Sequence, residues 1–141
     1  MSRSTCHQGG PIHLIFPRLL ECSDLALALM RLLVGWVFVY SGWSHERDPV
    51  GRAKSIGMSP GFTRLLGIVE IAAGLGVALG VLTQVAALAL ILIMMGAIQK
   101  KLFVWHTGFW GEKASGWHYD LLFVTMNLVI LTTGGGRFVL L

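Results

Sequence analysis

Two charged residues, Arg31 and Glu70, lie inside hydrophobic stretches that are otherwise long enough to cross a bilayer. A charged side chain near the bilayer centre costs about 2.5–3.5 kcal/mol on insertion scales. Uncharged runs would anchor the chain at lower cost. Each charge must therefore satisfy something within the fold or act on something that enters it.

The surrounding composition supports the membrane reading. The 141 residues are 55% hydrophobic and 13% charged, against about 25% charged in soluble domains. A helical span needs about 20 residues, so the chain has room for four spans, short loops and a modest tail. The expected architecture is all-α: one integral membrane four-helix bundle, up-down-up-down, over residues 24–141, preceded by a tail of residues 1–23. The formal charge of +4 does not point to nucleic acid, because the basic residues bracket apolar segments and form no single patch. Pro11 and Pro17 interrupt the first 20 residues, so the first span is expected to direct insertion in place of a cleaved leader. Cys6 and Cys22 both precede it without CxxC spacing; two cysteines alone make no metal site, and they can pair only if the tail faces an oxidising compartment.

Local signals place the elements. Ile12 to Leu20 can lie flat in the interface, with Arg18 at the headgroups. Ser23 and Asp24 are N-cap candidates for a span reaching Trp43, and Tyr40 and Trp43 suit an interfacial belt. Residues 44–59 read as a polar loop. Ser59-Pro60 starts a second span over residues 60–82, in which Gly76 and Gly80 form a GxxxG pair beside Gly67 and Gly74, all read as helix-packing positions. Thr83 and Gln84 leave almost no loop before a third span over 85–105, which makes an antiparallel hairpin. A fourth span covers 119–133 and stops at Gly134-Gly135-Gly136, with Arg137 to Leu141 continuing the helix into the interface.

The loops after spans one and three hold Arg47, Arg52, Lys54, Arg64, Lys100, Lys101 and Lys113, against Arg3, Arg18 and Arg137 on the opposite side. The positive-inside rule then puts both loops in the cytoplasm and both termini outside, in a bacterial or archaeal cytoplasmic (inner) membrane.

At about 1.5 Å of rise per residue, Tyr40, Ser41, Glu70, Gln99 and Asn127 fall into one layer, with His45, His106, His118 and Asp120 above it. Glu70 either lines a binding site or pathway, as intramembrane carboxylates usually do, or ties two helices together through Gln99. Arg31 lies about 12 Å from Glu70 along the axis, so it is expected to snorkel to the opposite surface or to bond helix carbonyls. The histidines sit at helix ends without the deep paired spacing of a haem site, and no metal is expected.

Several of these segments resemble the DoxX family. Arg31-Leu-Leu-Val-Gly35 running into Ser41-Gly42-Trp43 is similar to that family's first helix. Gly67-Ile-Val-Glu70 with its Gly/Ala-rich continuation to Gly80-Val-Leu-Thr83 is similar to its second. Thr107-Gly108-Phe109-Trp110, Tyr119-Asp120 and the closing Gly134-Gly-Gly-Arg137 fit as well, over about residues 25 to 138. Many relatives carry His where this chain has Ser41 and Lys where it has His45, and they end in an acidic residue that is absent here. The resemblance implies a compact four-helix membrane protein, associated in some relatives with quinol oxidase or thiosulfate:quinone oxidoreductase systems. No nucleotide fingerprint, CxxC or haem pair is present, so an accessory or quinone-proximal role is expected over catalysis by this chain alone. Expected associates are membrane lipid, non-covalent quinone, and other membrane subunits or further copies of the chain. The alternatives are a small-molecule or lipid carrier with Glu70 as its binding group, and a purely structural assembly subunit.

Overall fold

In a computed structural model, which describes residues 15–111 and 116–141, every regular element is helical. A 3-10 segment, Pro17–Cys22, runs directly into α1, Ser23–Arg47. There follow α2 (Pro49–Ile56), α3 (Pro60–Leu79), α4 (Thr83–Phe103) and α5 (Trp117–Thr133). Among the described residues, three helices are long and apolar enough to cross a membrane: α1 with its 3-10 lead-in, α3 and α4. The 17 residues of α5 sit at the lower limit of spanning length, about 17.

Several local expectations are corrected. Residues 44–59 are not a loop, because they contain α2. Asp48 caps it by accepting a hydrogen bond from the Gly51 N–H at 2.9 Å, Pro49 occupies the first turn, and Gly57 closes it with φ 66°. Each is a standard helix boundary signal. Neither Ser23 nor Asp24 caps α1. Asp24 instead accepts a hydrogen bond from the backbone N–H of Arg137 at 3.0 Å. Residues 137–141 do not prolong α5, since Gly134, Gly135 and Gly136 all take positive φ and turn the chain back. The returning segment is tied to the α3–α4 turn, where Gly80 O accepts from Leu140 N and Leu141 N at 2.9 and 3.0 Å. Ser59 does cap α3, accepting from Phe62 N at 3.3 Å. Residues 12–14 and Cys6 fall outside the described residues, and with them the flat interfacial segment and any pairing of Cys22.

α1 packs most extensively on α3, and α4 on α5. The α1–α3 contact is a glycine seam. A Cβ added to Gly35 would lie 2.5 Å from Gly74 O, and one added to Gly74 would lie 2.9 Å from Gly35 O. Seven residues along, Gly42 and Gly67 repeat the arrangement at 2.5 and 2.8 Å. The two glycines of each helix face those of the other in antiparallel order, so backbone meets backbone directly. The GxxxG pair does not make this contact: Gly76 faces Ala86, while Gly80 ends α3 at φ 76°. The apolar core gathers Val34, Phe38, Val77, Leu90, Phe123 and Ile130 from α1, α3, α4 and α5. Phe38 and Phe123 meet edge to face at 5.4 Å.

Gly74→Val should destabilise the protein by about 1–3 kcal/mol, the usual cost of overpacking, as read by thermal unfolding in detergent. Gly61→Ala, where a Cβ meets open space, should be neutral or slightly stabilising. Equal effects of the two would remove the seam as the organising contact.

Candidate functional site

Arg31 and Glu70, the two charges inside apolar stretches, occupy separate polar centres, one toward each end of the α1–α3 seam. Both residues are 3% exposed.

Arg31 lies one turn before Gly35, where α1 passes the end of α3. Its guanidinium donates from Nε to Val77 O at 3.1 Å, from Nη1 to Gly135 O at 2.8 Å, and from Nη2 to Phe138 O at 2.5 Å and Ala78 O at 3.5 Å. Two acceptors are carbonyls near the C-terminus of α3, and two belong to the returning terminal segment. Carbonyls at a helix C-terminus lack intrahelical donors and carry the negative end of the helix dipole. The charge thus replaces several missing donors at once. It bonds carbonyls, and it does not snorkel.

Glu70 lies on α3 one turn from Gly67, opposite His45 of α1. Glu70 Oε2 is 3.5 Å from His45 Nδ1, while that nitrogen lies 2.9 Å from Ser41 O in hydrogen-bonding geometry. With Nδ1–H donating to Ser41 O, the Glu70–His45 contact is an electrostatic approach, and Oε2 accepts no hydrogen bond. Asn127 of α5 is completely buried; its Nδ2 donates to Phe123 O at 2.9 Å and its Oδ1 has no hydrogen-bond partner. Asn127 is six residues before the end of α5 and Glu70 seven before Val77, so both lie about 10 Å below the Arg31 cage. They share a level without a hydrogen bond between them.

Beyond Glu70, the helix ends are joined by charge. Lys101 Nζ of α4 is 2.7 Å from Asp120 Oδ2 of α5, with both side chains largely buried. Lys100 Nζ donates to Ile56 O at 2.7 Å and thereby fastens α4 to α2. Arg64 lies 3.4 Å from Glu46. The Lys101–Asp120 pair was missed in the sequence, although opposite charges at the two ends of one inter-helix connection were a readable signal.

Other predicted members of the polar layer go elsewhere. Tyr40 is 70% exposed on the outer face of α1, and Gln99 is exposed on α4, so neither reaches Glu70. Their azimuth turns them outward. His106 is exposed at positive φ. His118 lies 2.7 Å from Phe109 O through Nδ1, in an aromatic cluster with Trp110. Only Ser41, His45 and Glu70 gather. Among the described residues, no group of three or more His, Cys, Asp or Glu side chains could hold a metal.

The family model described as DoxX matches residues 26–107, which span Arg31, the glycine seam, Glu70 and Lys101. The chain belongs to the DoxX family. It is also 36% identical over 137 residues to the uncharacterized membrane protein Rv3486 of Mycobacterium tuberculosis, covering 86% of this chain and 83% of that protein. No solved structure matches. Family membership and the apolar helices make it an integral membrane protein. The DoxX match stops before Asp120, Asn127 and the carbonyls of Gly135 and Phe138, so Arg31 lies inside it and half of its acceptors lie outside.

Arg31→Gln should lose about 1.5–3 kcal/mol of stability, the scale of a hydrogen bond to a charged group, and should release the terminal segment. Carboxypeptidase digestion in mild detergent should then remove residues after Gly136 faster than in the parent. Unchanged digestion would show that the segment is held by other contacts.

Proposed function

We propose that this DoxX protein is an accessory, non-catalytic subunit of a membrane redox complex, built as an up-down-up-down four-helix bundle that presents α4 to a helix of a partner subunit. The observation that carries the reading is the outer face of α4. Val85, Leu88, Leu92, Met95, Gln99 and Leu102 recur at alternating intervals of three and four residues, and all are exposed. That spacing is the seam of a helix pair. Gly96 adjoins it with open space where a Cβ would stand, and small residues permit the close backbone approach that drives helix association in lipid. Gln99 places a side-chain amide on the same stripe, where a partner helix offers a better hydrogen-bonding neighbour than lipid.

In this reading the quinone chemistry of the complex belongs to its partners, and the buried polar groups of this chain hold its own helices. The basic end, with Arg47, Arg52, Lys54, Arg64, Lys100 and Lys101, faces the cytoplasm, and both termini lie on the other side of a bacterial or archaeal cytoplasmic membrane. A second reading, a carrier with Glu70 as its binding group, has one observation in its favour: Glu70 Oε2 and Asn127 Oδ1 are buried without hydrogen-bond partners.

Affinity isolation in mild detergent, with lipid extraction, separates the two. Redox subunits should co-purify with the parent and be lost from Gly96→Leu, which should remain as stable as the parent because its side chain enters open space. A stable monomer carrying bound quinone or lipid would favour the carrier. Co-purification unchanged by Gly96→Leu would exclude α4 as the docking face.

A reporter that is active only outside the cytoplasm should be active when fused at Leu141. Activity of a cytoplasm-only reporter there would reverse the orientation.

A further inference from the structure

Along one edge of the seam, where Val39 of α1 packs by Gly74 and Ile71 of α3 by Gly42, a groove runs with two different ends. Its inner part, about 160 Å³, is lined by Trp36, Val39, Tyr40, Trp43 and Ile71 and presents no polar surface. At Tyr40 and Trp43 it adjoins a second pocket of about 300 Å³, lined also by Ser44, Arg47, Asp48 and Arg52. Trp36 lies about 10 Å deeper than Trp43, and Arg47 about 6 Å beyond it on the other side. An apolar slot at acyl-chain depth therefore opens into a polar pocket at headgroup depth.

The polar pocket is arranged for an anion. Arg52 donates from Nε to Ser44 Oγ at 3.0 Å, and its Nη2 reaches the same oxygen, which holds the guanidinium at the pocket. Arg47 makes no side-chain hydrogen bond or ion pair among the described residues. The carboxylate in the lining, Asp48, is engaged in capping α2 through Gly51 N. The corresponding pocket at the other end of α1 has the opposite balance, with Glu21 and Asp24 beside Arg137. Guanidinium groups bind phosphate oxygens with matched bidentate geometry, and basic pockets at the membrane surface select anionic headgroups.

We propose that this groove is a binding site for one anionic glycerophospholipid, with its phosphate on Arg47 and Arg52 and an acyl chain along Trp36, Tyr40 and Trp43. A partner helix fits less well, because the slot is short and ends against two cations. The site is lined by α1 with Arg52 of α2 and Ile71 of α3, so it does not depend on the α4 reading above.

The test uses the full chain in phosphatidylcholine bilayers, where brominated lipids quench tryptophan fluorescence. Brominated phosphatidylglycerol and brominated phosphatidylcholine are compared, and the groove's signal is the part lost in Trp43→Phe. Phosphatidylglycerol should associate at least about five-fold more strongly than phosphatidylcholine at low salt, with the preference falling as salt rises. Arg47→Gln/Arg52→Gln should bring the ratio close to one. Lys54→Gln/Arg64→Gln, which removes the same charge from the same end, should leave the ratio intact. Arg47→Gln alone serves if loss of the Arg52–Ser44 contact unfolds α2. Equal association of the two lipids with the parent would overturn the site, as would equal loss in both double variants, which would mark diffuse surface charge. Displacement of the lipid by millimolar glycerol 3-phosphate would also overturn it, since a soluble phosphate would then suffice.

Discussion

The approach of α1 to α3 at Gly35–Gly74 and Gly42–Gly67 is the contact on which the rest of the structure depends. Lipid is as apolar as a leucine side chain, so hydrophobic burial gives membrane helices little reason to associate; close packing must supply it. Two backbones meeting at two glycine pairs provide that packing, and they also fix the register of the helices. Arg31 stands four residues before Gly35, and Val77 and Ala78 stand three and four after Gly74. His45 stands three after Gly42, and Glu70 three after Gly67. On a helix, offsets of three and four share a face. The seam that joins the helices therefore delivers each charge to its partners.

The Arg31 cage shows how a charge can be kept inside a membrane fold. Burying a guanidinium is unfavourable unless its donors are satisfied. Here the donors meet carbonyls that the fold leaves open, at the end of α3 and in a segment turned back by three glycines with positive φ. Each side corrects the other's deficit: carbonyls without helical donors, and a cation without an anion. The same guanidinium joins α1, α3 and the chain end.

Much of this was legible in the sequence, and the failures share one cause. Three of the apolar runs correspond to helices of spanning length, α1, α3 and α4, and Ser59-Pro60 marked a helix start that the structure contains. The fixed rise per residue gives axial position along each helix, the basis for placing Glu70 and Asn127 at one level. Azimuth was harder. Tyr40 and Gln99 face outward, because a helix that is apolar all round gives no periodic contrast to show which side is inner. Gly76 and Gly80 matched a known packing pattern, yet Gly67 and Gly74 carry the seam, since their partners were decided by tertiary register. α2 was overlooked for another reason: its Asp48-Pro49 start and Gly57 stop were present, but eight polar-rich residues between spans resemble a loop in composition.

The same geometry separates what the protein uses for itself from what it offers to others. Inside, Arg31, Lys100, Lys101, Asp120 and His45 are engaged by groups of this chain. Among the described residues, Glu70 Oε2 and Asn127 Oδ1 are buried without a hydrogen bond, as are Thr83 Oγ1 and Glu46 Oε1 nearer the helix ends. Outside, α1 presents aromatic rings and two arginines, while α4 presents a heptad-spaced stripe with an open glycine. α1 has its inner side fixed on α3 and α4 has its inner side fixed on α5. The two outer faces therefore belong to different helix pairs, and occupation of one leaves the other accessible. A lipid beside α1 and a helix on α4 are compatible occupants of one molecule, and substitutions of Arg47 or Arg52 on the one side and of Gly96 on the other fall outside the glycine contacts of the seam that holds both in place.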